Sequence, residues 1–239
     1  LSVDTFECIE DNATPLPLIK KLQDILKCVR ALQPTFCSRG FEVETNLDFD
    51  RSWGLGSSST FINNIAQWAQ VNPYELLDKT LGGSGYDIAV AQAKQALLYT
   101  RNEYTPVVQS LSYDPPFRDQ LYFVPLNKKQ DSQQEVIAYH KSSKPTKKQI
   151  ETINELTASL LSASTLSRFN ELITAHEKLI GSLLQQTPII ERLFPDFNGA
   201  IKSLGAWGGD FILATGASCP AYFNEKGYTT VVPYAKMIA

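Results

Sequence analysis

The sequence has 239 residues, of which 43% are hydrophobic and 20% are charged, and its formal net charge is -3. This length holds one large domain or two modest ones, and the composition is that of a globular protein that buries a core. The small net charge gives no reason to expect a nucleic acid or an anionic membrane as a partner, and no apolar run is long enough to span a bilayer.

The first predicted elements are a helix and a strand. Apolar residues recur on one stripe from residue 16 to residue 32, which predicts an amphipathic helix that ends before Pro34. From residue 41 to residue 50, apolar and polar residues alternate, which predicts a strand with one buried face. We expect the helix to cover the sheet that contains this strand.

The strand leads into a glycine turn and a second helix. Gly54 and Gly56 are followed by four hydroxyl residues, 57–60, which open a segment with helical spacing of its apolar residues. A helix that starts in such a turn directs unpaired backbone N–H groups and the positive end of its dipole at the turn, an arrangement that suits phosphate. An ordinary helix start that binds nothing shows the same pattern. This first glycine run (residues 54–59) therefore does not by itself establish a phosphate site.

A second glycine run (residues 82–85) follows a short helix whose start is predicted at Asn72 and Pro73. Its three glycines lead into a helix of small residues that begins at Tyr86 or Asp87. Asp87 therefore falls in the first turn of a helix. A carboxylate there can serve a site in the turn, or it can act only as an N-cap or as a partner of the helix dipole.

The pattern changes to strands near residue 97, and this change sets our expected boundary between two domains, residues 1–105 and 106–239. A third glycine run (residues 202–210) lies in the second of these domains. The remaining predicted elements are strands at 97–99, 107–113 and 121–126, helices at 146–161 and 165–186, a strand at 211–214, a short helix near Ala221 and a strand at 229–234.

Several familiar site motifs are absent from the sequence. No lysine follows Gly56 as a Walker A loop requires, the third glycine of a dinucleotide fingerprint is missing, and there is no nucleophile elbow. The four cysteines lack C-x-x-C spacing and indicate neither a zinc site nor a disulfide framework. With no recognisable signal peptide, we expect a cytoplasmic protein. We interpret His140 and His176 as surface or helix-face residues.

Taken together, the three glycine runs resemble the motifs of the GHMP kinases, the family of galactokinase, homoserine kinase, mevalonate kinase and phosphomevalonate kinase. Gly54-Leu55-Gly56-Ser57-Ser58-Ser59 is similar to the family's phosphate loop, G-L-G-S-S-A. Gly83-Ser84-Gly85-Tyr86-Asp87-Ile88-Ala89 is similar to its S-G-x-D segment and is nearest the mevalonate and phosphomevalonate kinase branches. Residues 202–209 resemble the third motif, K-x-T-G-A-G-G-G, and the order and separations of all three fit.

The resemblance implies an α+β fold with two domains, an N-terminal domain of the ribosomal S5 domain 2 type and a ferredoxin-like C-terminal domain. It implies ATP and Mg²⁺ as cofactors, with transfer of the γ-phosphoryl group to a hydroxyl or phosphate of a small metabolite. Asp87 would be the catalytic residue that takes the proton of the acceptor, and Ser57 or Ser58 would offer a hydroxyl to Mg²⁺. These roles require Gly56, Asp87 and Gly208 to lie close together.

The same resemblance assigns the backbone that binds phosphate. In the first run, these residues are Gly54, Leu55, Gly56, Ser57, Ser58 and Ser59. In the third run, the residues whose backbone would approach the substrate are Gly205, Ala206, Gly208 and Gly209. Trp207 stands where this motif usually has glycine, and it would either narrow the pocket or serve as packing.

Our first hypothesis for the function is a small-molecule kinase of the mevalonate-pathway type, with an acceptor that the sequence does not identify. The alternative is a non-catalytic protein of the same fold that binds a nucleotide or metabolite and acts through a partner. A third hypothesis, an oxidoreductase, rests only on the spacing of Gly54 and Gly56. We expect no nucleic-acid or membrane partner, and the sequence is compatible with a homodimer.

Overall fold

A computed structural model gives the fold of the chain as two compact units. The first unit contains Leu1–Asp48 and Gly56–Ser112, and the second contains Phe49–Leu55 and Tyr113–Ala239. The chain therefore passes from one unit to the other inside the first glycine run. The expected boundary near residue 105 stays a prediction. The residues that the structure describes are 1–7, 16–50, 53–127, 144–205, 207 and 210–238.

The first unit is built on four helices that share one apolar core. The helices are α1 (Leu16–Leu32), α2 (Ser57–Ala69), α3 (Pro73–Thr80) and α4 (Tyr86–Gln92). Each contributes a completely buried aliphatic side chain, and these are Val29, Ile62, Leu76 and Ile88. The predicted bounds of α1 are confirmed, and so is the start of α3, where the Asn72 side chain accepts hydrogen bonds from the N–H groups of Tyr74 and Glu75.

A two-stranded antiparallel sheet completes the described part of the first unit. Its strands are β1 (Ala96–Thr100) and β2 (Val107–Leu111), and Leu98 lies opposite Gln109. β1 extends one residue beyond each end of the predicted segment 97–99, and β2 lies within the predicted segment 107–113. The Tyr99 hydroxyl on β1 donates a hydrogen bond to the carbonyl of Ser84 at 2.6 Å, so the sheet holds the second glycine run in place.

The strand predicted at residues 41–50 is wrong, because this segment has no regular secondary structure. Phe41 and Val43 are 48% and 55% exposed, although the Phe41 ring packs edge-on against Trp68. A strand depends on hydrogen bonds to a neighbour, and none of the strands that the structure describes pairs with these residues. Helix α1, which we expected to cover this strand, packs against α2 and α3 instead.

The second unit alternates strands and helices in the order expected of a ferredoxin-like domain. Each long helix begins at a threonine N-cap, Thr146 or Thr165, which explains why the sequence predicts their starts closely. The described elements are β3 (Leu121–Pro125), α5 (Lys147–Leu161), α6 (Leu166–Leu184), α7 (Ile189–Leu193), β4 (Ile201–Leu204), β5 (Phe211–Thr215), α8 (Cys219–Glu225), β6 (Val232–Pro233) and α9 (Tyr234–Met237), with a 3-10 turn at Arg118–Gln120.

The four strands of this unit form one antiparallel sheet in the order β4-β5-β3-β6. Phe123 on β3 lies opposite Leu213 on β5, and Ser203 on β4 lies opposite Ile212. With helices between β3 and β4 and between β5 and β6, this is the β-α-β-β-α-β arrangement of a ferredoxin-like fold. The expectation for the C-terminal half of the chain is therefore confirmed.

Helix α6 packs against the sheet beside β4. Phe169 and Leu172 of this helix are buried in an apolar cluster with Leu121 of β3. This packing brings the polar side of α6 to the strand that leads into the third glycine run. No helix within the described ranges has the length and apolar character that crossing a lipid bilayer requires.

Candidate functional site

The first glycine run forms the turn that the sequence predicts. Gly54 and Gly56 have φ angles of 69° and 71°, in the left-handed region that favours glycine. Gly56 is the N-cap of α2, and its carbonyl accepts the N–H of Thr60 at 3.0 Å. Gly56 has no side chain with which to cap the helix, and no side-chain cap is seen among the described residues. The N–H groups of a first helical turn can bind an anion.

The second glycine run turns the chain into α4. Gly82, Gly83 and Gly85 all have positive φ angles, and Gly85 is the N-cap of the helix. Gly85 is also packed closely, since a methyl group placed on it would lie 2.9 Å from Cδ1 of Tyr74. This turn sets Asp87 in the first turn of α4, as predicted.

Asp87 lies directly beside the first glycine run. A methyl group placed on Gly56 would lie 3.2 Å from Cγ of Asp87 and 3.3 Å from its Oδ1. The carboxylate is thus next to the N-cap of α2. Of the three residues that the interpretation requires to lie together, Gly56 and Asp87 do so, and Gly208 lies outside the described residues.

The environment of Asp87 favours its protonated form. Burial raises the pKa of this carboxyl above its ordinary value of 3.8, and a hydrogen bond from Tyr86 offsets part of the effect. A carboxylate with a raised pKa accepts a proton more readily than an exposed aspartate does. Perturbed pKa values of this kind are common at functional sites, although structural groups also show them.

The third glycine run is described in part. Gly205 has a φ angle of 66° and ends β4, while Ala206, Gly208 and Gly209 lie outside the described residues. At the end of the run, Asp210 is 5% exposed and its carboxylate packs against two glycines. A methyl group would lie 2.6 Å from Asp210 Oδ1 if placed on Gly54, and 3.2 Å from Oδ2 if placed on Gly205.

Asp210 is a site residue that our sequence reasoning missed. Its carboxylate packs against Gly54 of the first glycine run and Gly205 of the third, all within the second unit. In the same unit, the ring centroids of Trp53 and Phe211 lie 5.7 Å apart in an edge-on contact. The sequence does contain a signal, because Asp210 is the sole charged residue between Lys202 and Glu225. A single charge in such a stretch indicates a specific contact.

A buried polar cluster joins α6 to β4. Glu177 on α6 is 2% exposed and accepts hydrogen bonds from Ser203 Oγ at 3.0 Å and from Lys202 Nζ at 3.4 Å. Lys202 Nζ also lies 3.3 Å from His176 Nδ1, which must accept because an ammonium group only donates. His176 is therefore a half-buried residue on the face of α6 that meets this cluster, which agrees with the helix-face alternative, while His140 lies outside the described residues.

The residues predicted to hold Mg²⁺ have a suitable donor chemistry. Ser57 is half-buried and Ser58 is exposed at the start of α2, and the Asp87 carboxylate lies beside the same turn. Within the part of the chain that the structure describes, no group of three or more His, Cys, Asp or Glu side chains is placed to hold a metal ion. Mg²⁺ often binds through one or two protein oxygens together with substrate phosphates, which these residues fit.

Comparison with known proteins gives matches in structure alone. No protein-family model matches the sequence, and no curated protein matches it at a significant level. A crystal structure of the Lin0012 protein from Listeria innocua matches with a TM-score of 0.62 and 16% identity, over 94% of this chain and 80% of that chain. The crystal structure of L. major mevalonate kinase in complex with R-mevalonate matches with a TM-score of 0.50 and 17% identity, over 94% of this chain and 77% of that one.

The chain shares its α+β fold with a mevalonate kinase. This agrees with the fold class that the glycine runs imply, and with the ferredoxin-like order of the second unit. At such low identity the likeness concerns the fold, and it does not decide the reaction or the acceptor.

We expect the packing of Asp210 against Gly54 to make alanine at position 54 strongly destabilising. Gly227 is the matched control, because it has a φ angle of 88° and nothing within 4 Å of an added methyl group. Gly227→Ala should lower the free energy of unfolding by about 1 to 2 kcal/mol, the cost of a left-handed alanine. Gly54→Ala should lower it by roughly 1 to 3 kcal/mol more, because the buried carboxylate must move.

Urea denaturation of both variants measures this difference. Equal losses of stability in the two variants would show that Asp210 does not restrict position 54.

We also expect His176 to make the protein less stable in weak acid. Burial and the nearby Lys202 charge lower the pKa of His176 from 6.5 to about 4. Between these values the unfolded chain binds a proton that the folded chain does not, so stability is complete above pH 6.5 and falls as the pH drops towards 4. Between pH 7 and pH 5 the loss should be roughly 1 to 2 kcal/mol, allowing for the partial exposure of the ring.

Urea unfolding at these two pH values, in the parent protein and in His176→Gln, measures the effect. The variant should lose most of this pH dependence, and an identical slope in both proteins would contradict the assignment.

Proposed function

We propose that the protein is an ATP-dependent small-molecule kinase similar to mevalonate and phosphomevalonate kinases. The observation that carries the proposal is the position of the Asp87 carboxylate beside Gly56, the N-cap of helix α2, for which the described residues provide no side-chain cap. The fold shared with a mevalonate kinase supports it. A proton acceptor next to a phosphate-binding turn is the combination that phosphoryl transfer to a hydroxyl requires.

The first glycine run would bind the phosphates of ATP. In the first turn of α2, the N–H groups of residues 57–59 point out of the helix start, where the helix dipole adds positive potential. When bound, Mg²⁺–ATP supplies the γ-phosphoryl group and neutralises part of its charge. Ser57 and Ser58 would offer hydroxyl oxygens to the metal, and the glycine backbone would allow close approach of the phosphates.

Asp87 would orient the acceptor hydroxyl and take its proton. Its raised pKa makes it a stronger base than a solvated aspartate, while a carboxylate still loses its proton more readily than the hydroxyl that it serves. Its backbone is fixed by the second glycine run, which Tyr74 and Tyr99 hold through Gly85 and Ser84. Such fixed geometry is the main contribution of a protein to phosphoryl transfer.

A cavity in the first unit has the volume of a small-molecule site, but neither Asp87 nor the first glycine run is among the residues that line it. Its volume is about 360 Å³, and it borders the second glycine run at Gly83, Ser84 and Gly85. Small-molecule sites generally begin near this size. The other residues that line it are Tyr74, Leu77, Asp78, Arg101, Glu103 and Tyr104.

Replacement of Asp87 by asparagine tests the proposed reaction. Coupled ADP release with mevalonate, phosphomevalonate, homoserine and sugars should identify an acceptor for the parent protein. Asp87→Asn should then turn over at least about a hundredfold more slowly, as expected for a positioned general base. Asp24→Asn, at an exposed position of α1, is the matched control and should keep full activity.

The same substitution, Asp87→Asn, should lower activity without lowering stability. Because the folded pKa of Asp87 is raised, its favourable contribution is complete at low pH and is lost as the pH rises through that pKa. At neutral pH the buried charge therefore weakens the fold, and Asp87→Asn should melt at the parent temperature or above it. An Asp87→Asn variant as active as the parent would refute the assigned role of this residue.

The alternative is a protein that binds a nucleotide without transferring phosphate. Trp207, at a position where the resembled motif usually has glycine, is the feature that favours it. Titration calorimetry with Mg²⁺–ATP separates the two functions. Binding without turnover of any acceptor would support the non-catalytic protein, and turnover by the parent would exclude it.

A further inference from the structure

Residues 41–48 keep the sequence pattern of a strand, although they belong to no sheet that the structure describes. Apolar residues and Thr45 occupy the odd positions, and polar residues occupy the even ones. None of these residues has a positive φ angle, so no left-handed turn interrupts the segment. Among the described residues, none forms a hydrogen bond with its backbone. Its N–H and C=O groups are therefore open to a further strand.

The apolar side of this segment is attached to the core at one end and is exposed beyond it. The Phe41 ring packs edge-on against Trp68 of α2, with 4.7 Å between ring centroids, and Trp68 packs in the same way against the buried Phe36. Val43 and Leu47 are 55% and 43% exposed, and Trp68 is itself 45% exposed. A strand that paired here would cover apolar surface as well as backbone.

The polar side of the segment carries negative charge alone. Glu42, Glu44 and Asp48 are exposed carboxylates, and Asn46 is the remaining polar residue on this side. Opposite charges that face each other across two strands stabilise the pair, and like charges destabilise it. The carboxylates therefore favour a partner strand that presents lysine or arginine to them.

The same charges disfavour pairing with a second copy of this segment. In an antiparallel pair that sets Thr45 opposite its own copy, the apolar residues share one face, but Glu42 lies opposite Asp48 at both ends. A shift by one residue moves the apolar residues of the two strands to opposite faces. In a parallel pair in register, each carboxylate would lie beside its own copy. A strand of different, basic sequence meets none of these conflicts.

We propose that residues 41–48 are a docking site for an extended segment of a partner protein, in which apolar residues alternate with lysine or arginine. The partner segment adds a strand, so that backbone hydrogen bonds give affinity and the alternating side chains give specificity. Its apolar side covers Val43 and Leu47, and its cations face the carboxylates. This inference is independent of the proposed kinase reaction, because the docking site contains neither Asp87 nor the first glycine run.

A synthetic peptide that alternates lysine with valine over about eight residues is the probe, and a peptide that alternates glutamate with valine is its control. Fluorescence anisotropy of the labelled peptides at low salt measures binding to the whole chain. The lysine-valine peptide should bind at least about tenfold more tightly than the control. Its binding should also slow amide hydrogen exchange in residues 41–48 of the protein, because the new ladder protects the backbone.

A charge reversal within the segment tests its role. Glu44→Lys should weaken binding of the lysine-valine peptide by about tenfold, because it replaces an attraction across the strands by a repulsion. Asp24→Lys makes the same change of charge at an exposed position of α1 and is the matched control. This control variant should bind the peptide as the parent protein does.

Three outcomes would overturn the docking site. The first is no binding of the lysine-valine peptide, or binding that leaves exchange in residues 41–48 unchanged. The second is equal weakening in Glu44→Lys and Asp24→Lys, which would show attraction to the overall charge alone. The third is a dimer of the parent protein in which residues 41–48 exchange slowly, because this segment would then pair with a second copy.

Discussion

Close contact between carboxylates and glycine backbone is the constraint on which the candidate site depends. Asp87 packs against Gly56 within the first unit, and Asp210 packs against Gly54 within the second. Both glycines have left-handed backbone angles, so an L side chain would be strained at either position even without the contact. Each of the two glycines of the first run thus packs against a different carboxylate.

This arrangement lowers stability locally, which is common at sites selected for function. Burial raises the pKa of Asp87, so ionising this carboxyl costs more in the folded protein than in the unfolded chain. Helix α2 begins without a side-chain cap, although the three serines that open it are residues that often cap helices. Both features would suit the proposed binding of phosphate beside a base.

The sequence predicts local features better than contacts between distant segments. The bounds of α1 and the threonine N-caps of α5 and α6 depend on residues within a few positions, and they agree with the structure. The strand predicted at residues 41–50 fails because pairing needs a second segment that alternation cannot reveal. The contact of Asp87 with Gly56 follows only from a resemblance that joins motifs far apart in the chain.

Trp207 illustrates what sequence reasoning could not supply. Its partner Glu177 lies thirty residues earlier, on a helix face where a lone acidic residue normally reads as a solvated side chain. Once Glu177 is buried, its charge needs donors, and Lys202 in the third glycine run supplies one of them. The Lys202 ammonium group thus contacts α6 twice, at Glu177 Oε1 and at His176 Nδ1, and an alternation or periodicity rule cannot anticipate such a contact between a strand and a distant helix.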